Sequence, residues 1–126
     1  MDLRYNGGGN STLFDPIIKL LKKEKCEKYC LIGENTFSSA ILNAVSLKDI
    51  AGFTLVGSPT GGSINHYGEL KSFTLPETGW EVYYSSKYFK LSKKYEGSII
   101  PDIPIEKDVS LYFSGYDKEI EYCLGL

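Results

Sequence analysis

The stretch KYCLIGENTFSSAILNAVSLKDIAGFTLVGS, residues 28–58, decides the fold class. Its first apolar segment, KYCLIGE, predicts a short buried strand, and GFTLVGS at the other end predicts a second one. Between them, SSAILNAVSLKD predicts a helix that turns Ile41, Leu42 and Val45 towards the core. A strand, a helix and a strand in this order indicate an α/β protein.

The flanking segments extend this prediction in both directions. PIIKLLKKEK has the apolar spacing of an amphipathic helix, and Asp15 followed by Pro16 marks its start, with an irregular turn from Asn10 before it. LKSFTLPETGWEVYYSSKYF predicts two strands joined by a Pro-Glu-Thr-Gly turn. The last segment predicts a short helix from Asp117. Together these elements predict an α/β fold with a mixed sheet.

Composition narrows the class of protein. The chain has 126 residues, 42% of them hydrophobic, and a formal net charge of -2. We expect one domain over residues 1–126, and we expect no nucleic-acid partner because the strong basic excess of such proteins is missing. The sequence has neither an apolar run long enough to span a membrane nor a signal segment, and it leaves the compartment unknown.

The cysteines do not form the pattern of a metal site. Cys26, Cys30 and Cys123 are an odd number, and His66 is the one histidine of the chain. A structural zinc site needs four ligands of these types at short spacings. We therefore expect buried or half-buried thiols, no metal and no cofactor.

Three segments carry side chains or backbone that could do chemistry. In MDLRYNGGGNST, three glycines follow a strand-like Leu3, and their N–H groups could approach a phosphate or the oxyanion of acyl transfer. A plain tight turn is the structural alternative. A phosphate loop would end in Gly-Lys-Ser/Thr, and the lysine is missing here.

The other two segments offer a nucleophile and a base. GENTFSSAILNA places two serines where a strand passes into a helix, which suits either a nucleophile elbow or an ordinary helix N-cap. LVGSPTGGSINHYGE is a Gly/Pro/Ser-rich loop that ends at His66, and histidine is the usual general base near neutral pH. A structural role in the turn is the alternative for His66.

In this order, DLRYNGGG, TFSSA and LVGSPTGG resemble the C-terminal processing (tail-specific) serine proteases and their tricorn-type relatives. The later PDIPIE and GYDKEIEYCLG are similar to the same family's C-terminal segments. The resemblance implies a Clp protease/crotonase-like core of ββα units, a peptide or protein substrate, and an extracytoplasmic or cell-envelope location. It also implies that this chain is the C-terminal half of a protease domain without a PDZ domain, which we expect to form a homo-oligomer or to need the other half.

The resemblance implies roles for particular residues. Ser38 takes the place of the family nucleophile, Ser39 would give its N–H to the oxyanion hole, and Gly8 or Gly9 would give the second N–H. Ile41 stands where many relatives have glutamate. The lysine that serves as base in the processing proteases is replaced here by Ser63, and the tricorn-type histidine comes from a segment before Asp2. His66 is then the available base within the chain.

Three functions follow from these observations. The first is a serine peptidase whose nucleophile half is this chain, weak or inactive alone. The second is a non-catalytic peptide-binding or structural relative that has lost the base, which Ser63 favours. The third, a crotonase-like acyl-CoA enzyme, would use similar glycines but would not need Ser38 in an elbow.

Overall fold

The structure is a computed structural model that describes residues 1–125, and it confirms the α/β class. A parallel sheet carries the main helix, and a separate antiparallel hairpin follows it. In chain order the elements are a 3-10 turn at Ser11–Phe14, α1 at Asp15–Leu21, β1 at Tyr29–Ile32, α2 at Ser39–Ala51, β2 at Thr54–Gly57, β3 at His66–Thr74, β4 at Glu81–Phe89, β5 at Ile103–Pro104, α3 at Val109–Tyr112 and α4 at Lys118–Leu124.

The parallel sheet has the order β1-β2-β5. Ile32 lies beside Gly57, and Gly57 lies beside Pro104, so the three strands end at the same edge. The N-terminal residues run alongside β1 in the same direction, through a bridge between Asp2 and Leu31. The glycine turn (residues 6–9), the serine turn between β1 and α2 (residues 33–38) and the loop after β2 (residues 58–65) therefore all lie at the carboxyl edge of the sheet.

The mixed sheet predicted from the sequence is wrong in one respect. Parallel and antiparallel pairing are both present, but in two separate sheets. β3 pairs with β4 from His66↔Phe89 to Thr74↔Glu81, and neither strand joins the parallel sheet. The loop at 58–65 separates β2 from β3, and the hairpin that follows it pairs only with itself.

The core lies between α2 and the parallel sheet. Ile41 and Leu47 of α2 are fully buried with Ile32 and Leu55 of the strands. Each buried side chain of this size stabilises the fold by about 1.5–3 kcal/mol. The predicted inward face of α2 is confirmed at Ile41, whereas its other two predicted members, Leu42 and Val45, are half-buried at the margin of the core.

The predicted starts of α4 and α1 agree with the structure to different degrees. The helix predicted from Asp117 exists as α4, which begins at Lys118; Asp117 is its N-cap, and its side chain accepts a hydrogen bond from the Ile120 N–H. At α1 the N-cap is Phe14, so Asp15 lies one residue inside the helix. The predicted turn from Asn10 exists as the 3-10 turn, and the Asn10 side chain caps it by accepting from the Thr12 N–H.

The three thiols are free, and they have different environments. Cys30 on β1 is buried, and this burial raises the pKa of its thiol to about 12, as expected for an inert core residue. Cys123 is half-buried, whereas Cys26 is exposed, so the expectation of a buried or half-buried thiol is wrong at Cys26. Over residues 1–125 the His, Cys, Asp and Glu side chains form no group able to hold a metal ion. Over that same range, every helix is too short or too polar to cross a membrane.

Candidate active site

The glycine turn begins where the N-terminal segment leaves β1. The Leu3 N–H donates to the Leu31 carbonyl at 2.9 Å, and the Asn6 N–H closes a turn onto the Leu3 carbonyl at 3.1 Å. Gly8 and Gly9 follow with φ of +106° and +138°. Backbone of this kind strains any residue with a Cβ, and it therefore explains why glycine stands at both positions.

Ser38 sits at the junction of the serine turn and α2, in a backbone conformation that is rare for a non-glycine residue. Its φ is 54° and its ψ is -126°, and it is the N-cap of α2 without a side-chain capping bond. An ordinary N-cap serine has extended backbone and accepts a bond from the helix. A strained residue of this kind persists only where its neighbours hold it, and such residues concentrate at functional sites. The simple capping alternative for Ser38 therefore does not describe this junction.

The glycine turn and the serine turn are in contact. A Cβ built on Gly8 would lie 2.7 Å from the Ser38 Cβ and 3.0 Å from the Ser39 nitrogen, closer than real Cβ atoms pack. The Phe37 N–H also donates to the Asn6 carbonyl at 3.0 Å, which joins the two turns directly. The structure thus brings together Gly8, Ser38 and Ser39, which the sequence had grouped as site residues.

The backbone donors of this cluster are not equivalent. The Gly8 N–H donates to the Asn6 Oδ1 at 2.9 Å. Within residues 1–125, neither the Gly9 N–H nor the Ser39 N–H has a hydrogen-bond partner. Ser39 begins α2, where the N–H groups of the first turn point out of the helix and attract negative charge. The free Ser39 N–H directly follows Ser38, and a free donor beside a nucleophile is what an oxyanion hole requires.

The loop after β2 packs against the serine turn. The Gly61 N–H donates to the Thr36 carbonyl at 3.2 Å, and a Cβ on Gly62 would lie 2.7 Å from the Phe37 ring. The loop is itself fixed by Thr60, whose hydroxyl donates to the Gly62 carbonyl and accepts from the Ile99 N–H. All three segments that the sequence singled out therefore meet at one edge of the sheet.

His66 belongs to the base of the hairpin. Its Nδ1 lies 3.2 Å from the Ile64 carbonyl, and its ring lies 5.8 Å from the Phe89 ring. None of its hydrogen bonds or ring contacts with the described residues involves Ser38 or the glycine turn. Ser63 forms a bridge with Ser98.

A cavity of about 490 Å³ opens at the same sheet edge. Its wall includes Gly33 at the end of β1, Ser58 after β2 and Tyr5 beside the glycine turn, and α3 and α4 close the far side. Open α/β sheets bind ligands outside the carboxyl ends of their strands. Glu34 near the start of the serine turn also lines the cavity, whereas Ser38 and Ser39 do not.

Arg4 forms an ion-pair cluster in the cavity wall that the sequence had not indicated. Its guanidinium lies 2.7 Å from Asp2, 2.8 Å from Asp117 and 3.5 Å from Glu119. The hydrogen bond from Arg4 lowers the pKa of Asp2. Burial alone would raise the pKa of Asp117, but bonds from the Ile120 N–H and Arg4 outweigh it and lower that pKa. The cluster joins α4 to the segment that leads into the glycine turn.

Comparison with known proteins finds relatives by fold and not by sequence. No family model matches this chain, and no curated protein matches it. The crystal structure of a candidate peptidase from Parabacteroides merdae matches 98% of this chain with a TM-score of 0.73 and 20% identity. A serine-to-alanine mutant of CPAF matches 75% with a TM-score of 0.54 and 22% identity. The photosystem II D1 C-terminal processing protease matches 83% with a TM-score of 0.47 and 16% identity.

The likeness concerns the fold, and it covers only part of each relative. The chain spans 50% of the length of the Parabacteroides protein and 18% of the length of CPAF. At identities of 20% and 22% a likeness of this kind shows a shared fold. The fold of this chain is therefore one found in peptidases.

Proposed function

We propose that this chain carries the nucleophile and oxyanion-hole half of a serine peptidase similar to the C-terminal processing proteases. The observation that supports the proposal most directly is the strained backbone of Ser38, packed against Gly8 at the start of α2. The peptidase fold of the structural relatives agrees with it. The proposal includes the Clp protease/crotonase-like core, since α2 connects the parallel strands β1 and β2 of the three-stranded sheet.

The residues then have defined tasks in peptide hydrolysis. The Ser38 hydroxyl oxygen attacks the peptide carbonyl carbon, and the N–H groups of Ser39 and Gly9 stabilise the resulting oxyanion. The general base takes the hydroxyl proton and passes it to the leaving nitrogen as the C–N bond breaks. Water then hydrolyses the acyl group on Ser38 to a carboxylic acid and restores the hydroxyl. Of the two glycines, Gly9 has the free N–H, whereas Gly8 would first have to release Asn6. The scissile bond would lie at Ser38, and the peptide would extend from there towards the cavity, whose wall includes Glu34 of the serine turn.

The general base is the part of this proposal with the least support from contacts within the chain. His66 is the histidine available, but its contacts are to Ile64 and Phe89. A base must come within about 2.6–3.2 Å of the serine hydroxyl, or one water further. We therefore expect the isolated chain to react slowly, with the base of the working enzyme supplied by another segment or partner.

A fluorophosphonate probe tests the proposal. The Ser38 oxygen would bond to phosphorus as fluoride leaves and the hydroxyl proton passes to solvent. We expect slow labelling that mass spectrometry places on Ser38, loss of labelling in Ser38→Ala, and little change in His66→Ala. Labelling on Ser39 would move the nucleophile by one residue. Complete absence of labelling at high probe concentration and pH 8–9 would contradict the peptidase proposal.

The second candidate is a peptide-binding relative that has lost catalysis, and Ser63 in place of a lysine is the observation that favours it. Ser63→Lys distinguishes the two candidates. If only the base has been lost, the new amine should raise the rate of Ser38 labelling by about 10²-fold or more, the usual contribution of a positioned base. An unchanged rate, together with binding of peptides to the cavity, would favour the non-catalytic relative.

A further inference from the structure

Thr36 is fully buried two residues before Ser38, and all of its polar groups are in use. Its hydroxyl donates to the Leu3 carbonyl at 2.8 Å and accepts from the Gly33 N–H at 2.9 Å. Its own N–H donates to the Gly33 carbonyl at 2.8 Å, and its carbonyl accepts from the Gly61 N–H at 3.2 Å. A buried threonine with both its hydroxyl and its backbone engaged is a fixed point of the structure.

These bonds reach three different segments. Leu3 belongs to the stretch that leads into the glycine turn, Gly33 directly follows β1, and Gly61 belongs to the loop after β2. Thr36 is therefore a single residue that bonds to each of the segments that meet at the candidate active site. A further backbone bond joins the serine turn to the glycine turn next to Thr36, from the Phe37 N–H to the Asn6 carbonyl.

The strained backbone of Ser38 depends on neighbouring bonds such as those of Thr36. A residue at φ 54° and ψ -126° stays there only if surrounding bonds over-determine its position. The bonds of Thr36 fix the backbone two residues before Ser38. They hold it to the segment that leads into the glycine turn and to the loop after β2. Loss of the hydroxyl would leave the buried Gly33 N–H and the Leu3 carbonyl without that partner, and the turns could then move relative to each other.

We propose that Thr36 is a positioning residue for the candidate active site: its hydroxyl sets the serine turn against the glycine turn. It acts through the backbone of Ser38 and not on a substrate. The expected effect on Ser38 reactivity rests on the proposed peptidase function, but the placement of the serine turn against the glycine turn can be measured without any activity.

The matched pair Thr36→Val and Thr36→Ser separates the hydroxyl from the shape of the side chain. Valine keeps the shape and removes both hydroxyl bonds, whereas serine keeps the bonds. We expect Thr36→Val to slow fluorophosphonate labelling of Ser38 by about tenfold or more at equal folded fraction, because small displacements of a reacting group reduce rates steeply. Thr36→Ser should stay within about threefold of the wild type. Equal rates for both variants would overturn the proposal.

Amide NMR spectra give a readout that does not depend on catalysis. Thr36→Val should shift the resonances of Gly8, Ser39 and Gly61 together, and Thr36→Ser should leave them in place. Thr60→Val is the control, since Thr60 is also buried and its hydroxyl also bridges two backbone groups, but to Gly62 and Ile99. It should destabilise the fold while the Gly8 and Ser39 resonances stay unchanged. A Thr36→Val spectrum that changes only near Gly33 would show that the Thr36 hydroxyl does not position the serine turn.

The two readouts distinguish the possible failures. A wild type that is never labelled contradicts the peptidase proposal, while the NMR comparison still decides the role of Thr36. If Thr36→Val does not fold, native-state hydrogen exchange of the wild type tests whether Thr36 holds the three segments together. The Gly33, Phe37 and Gly61 amides should then share one opening, with protection factors within about threefold of each other. Protection of Gly61 that differs from that of Gly33 by about a hundredfold would overturn the inference.

Discussion

At the scale of single residues, the strain at Ser38 should be measurable as lost stability. A non-glycine residue in this conformation costs about 1–3 kcal/mol, while glycine in a fixed backbone loses about 0.5–1 kcal/mol of entropy. We expect Ser38→Gly to be about 1 kcal/mol more stable than Ser38→Ala by urea unfolding, since both lack the hydroxyl but only alanine keeps the Cβ. A less stable glycine variant would show that the turn is not strained.

Gly8 should be far less tolerant of a side chain than another glycine with positive φ. A Cβ on Gly8 would meet Ser38 at 2.7 Å in a backbone of φ +106°, whereas Gly79 has φ +69° with nothing within 4 Å. We expect Gly8→Ala to lower the free energy of unfolding by about 3 kcal/mol and Gly79→Ala by about 1 kcal/mol. Thermal and urea unfolding of the two variants compare them. Equal losses would mean that the contact between the two turns is absent.

The sequence predicted this cluster in part. The serine junction and the glycine turn were assigned from the resemblance of TFSSA and DLRYNGGG to the processing proteases, because each motif alone also suits a helix cap or a tight turn. The choice between Gly8 and Gly9 could not be made, because it depends on where the Asn6 side chain folds back. The part played by Thr36 was also invisible, since its partners lie 33 and 25 residues away in either direction along the chain.

At the scale of elements, α4 is held by Asp117 in two ways, as N-cap and as partner of Arg4. Asp117→Asn keeps an oxygen for the cap and removes the charge, whereas Asp117→Ala removes both. We expect the alanine variant to be about 1 kcal/mol less stable than the asparagine variant, the usual value of a cap. Urea unfolding, with the helical circular dichroism signal as the probe, measures the difference. Equal stabilities would mean that the cap contributes nothing.

The ion pairs of Arg4 with Asp2 and Asp117 predict that the stability of the fold decreases in acid. The pKa values of Asp2 and Asp117 are lowered in the folded state, so each stabilises the fold above its unfolded pKa. That stability is lost as the pH falls through the lowered folded values, which places the loss below about pH 4. The free energy of unfolding should fall more steeply between pH 5 and pH 2.5 in the wild type than in Asp117→Asn. Parallel pH curves would contradict the role of the ion pair.

The single helices and strands were easier to predict from the sequence than the way the strands pair into sheets. The hairpin was evident from its turn residues, and α2 from its apolar spacing, because both depend on neighbours in sequence. Membership of a sheet depends on residues far apart, such as Gly57 and Pro104, and no local pattern reports it. That is why two sheets were predicted as one mixed sheet.

At the scale of the whole molecule, the hairpin leads us to expect a dimer. β3 and β4 pair only with each other, and an isolated two-stranded hairpin is marginally stable in water. Phe73 and Tyr84 form a ring pair at 6.2 Å, and both side chains are about half exposed. Tyr67 and Tyr88 form a second exposed pair at 4.9 Å. A second copy could cover these rings, and its own hairpin would be covered in return by the same contact.

Two adjacent tyrosines provide the test of this dimer. Tyr83 and Tyr84 are both exposed, and successive strand residues point to opposite faces, so only Tyr84 shares the face of Phe73. We expect light scattering on the wild type to give twice the mass of the 14.1 kDa chain at about 100 µM, a concentration at which weak transient interfaces are occupied. Tyr84→Lys should shift the protein to a monomer because it buries a charge in the contact, and Tyr83→Lys should remain a dimer. A monomeric wild type, or equal effects of the two lysines, would show that this face of the hairpin is not the interface.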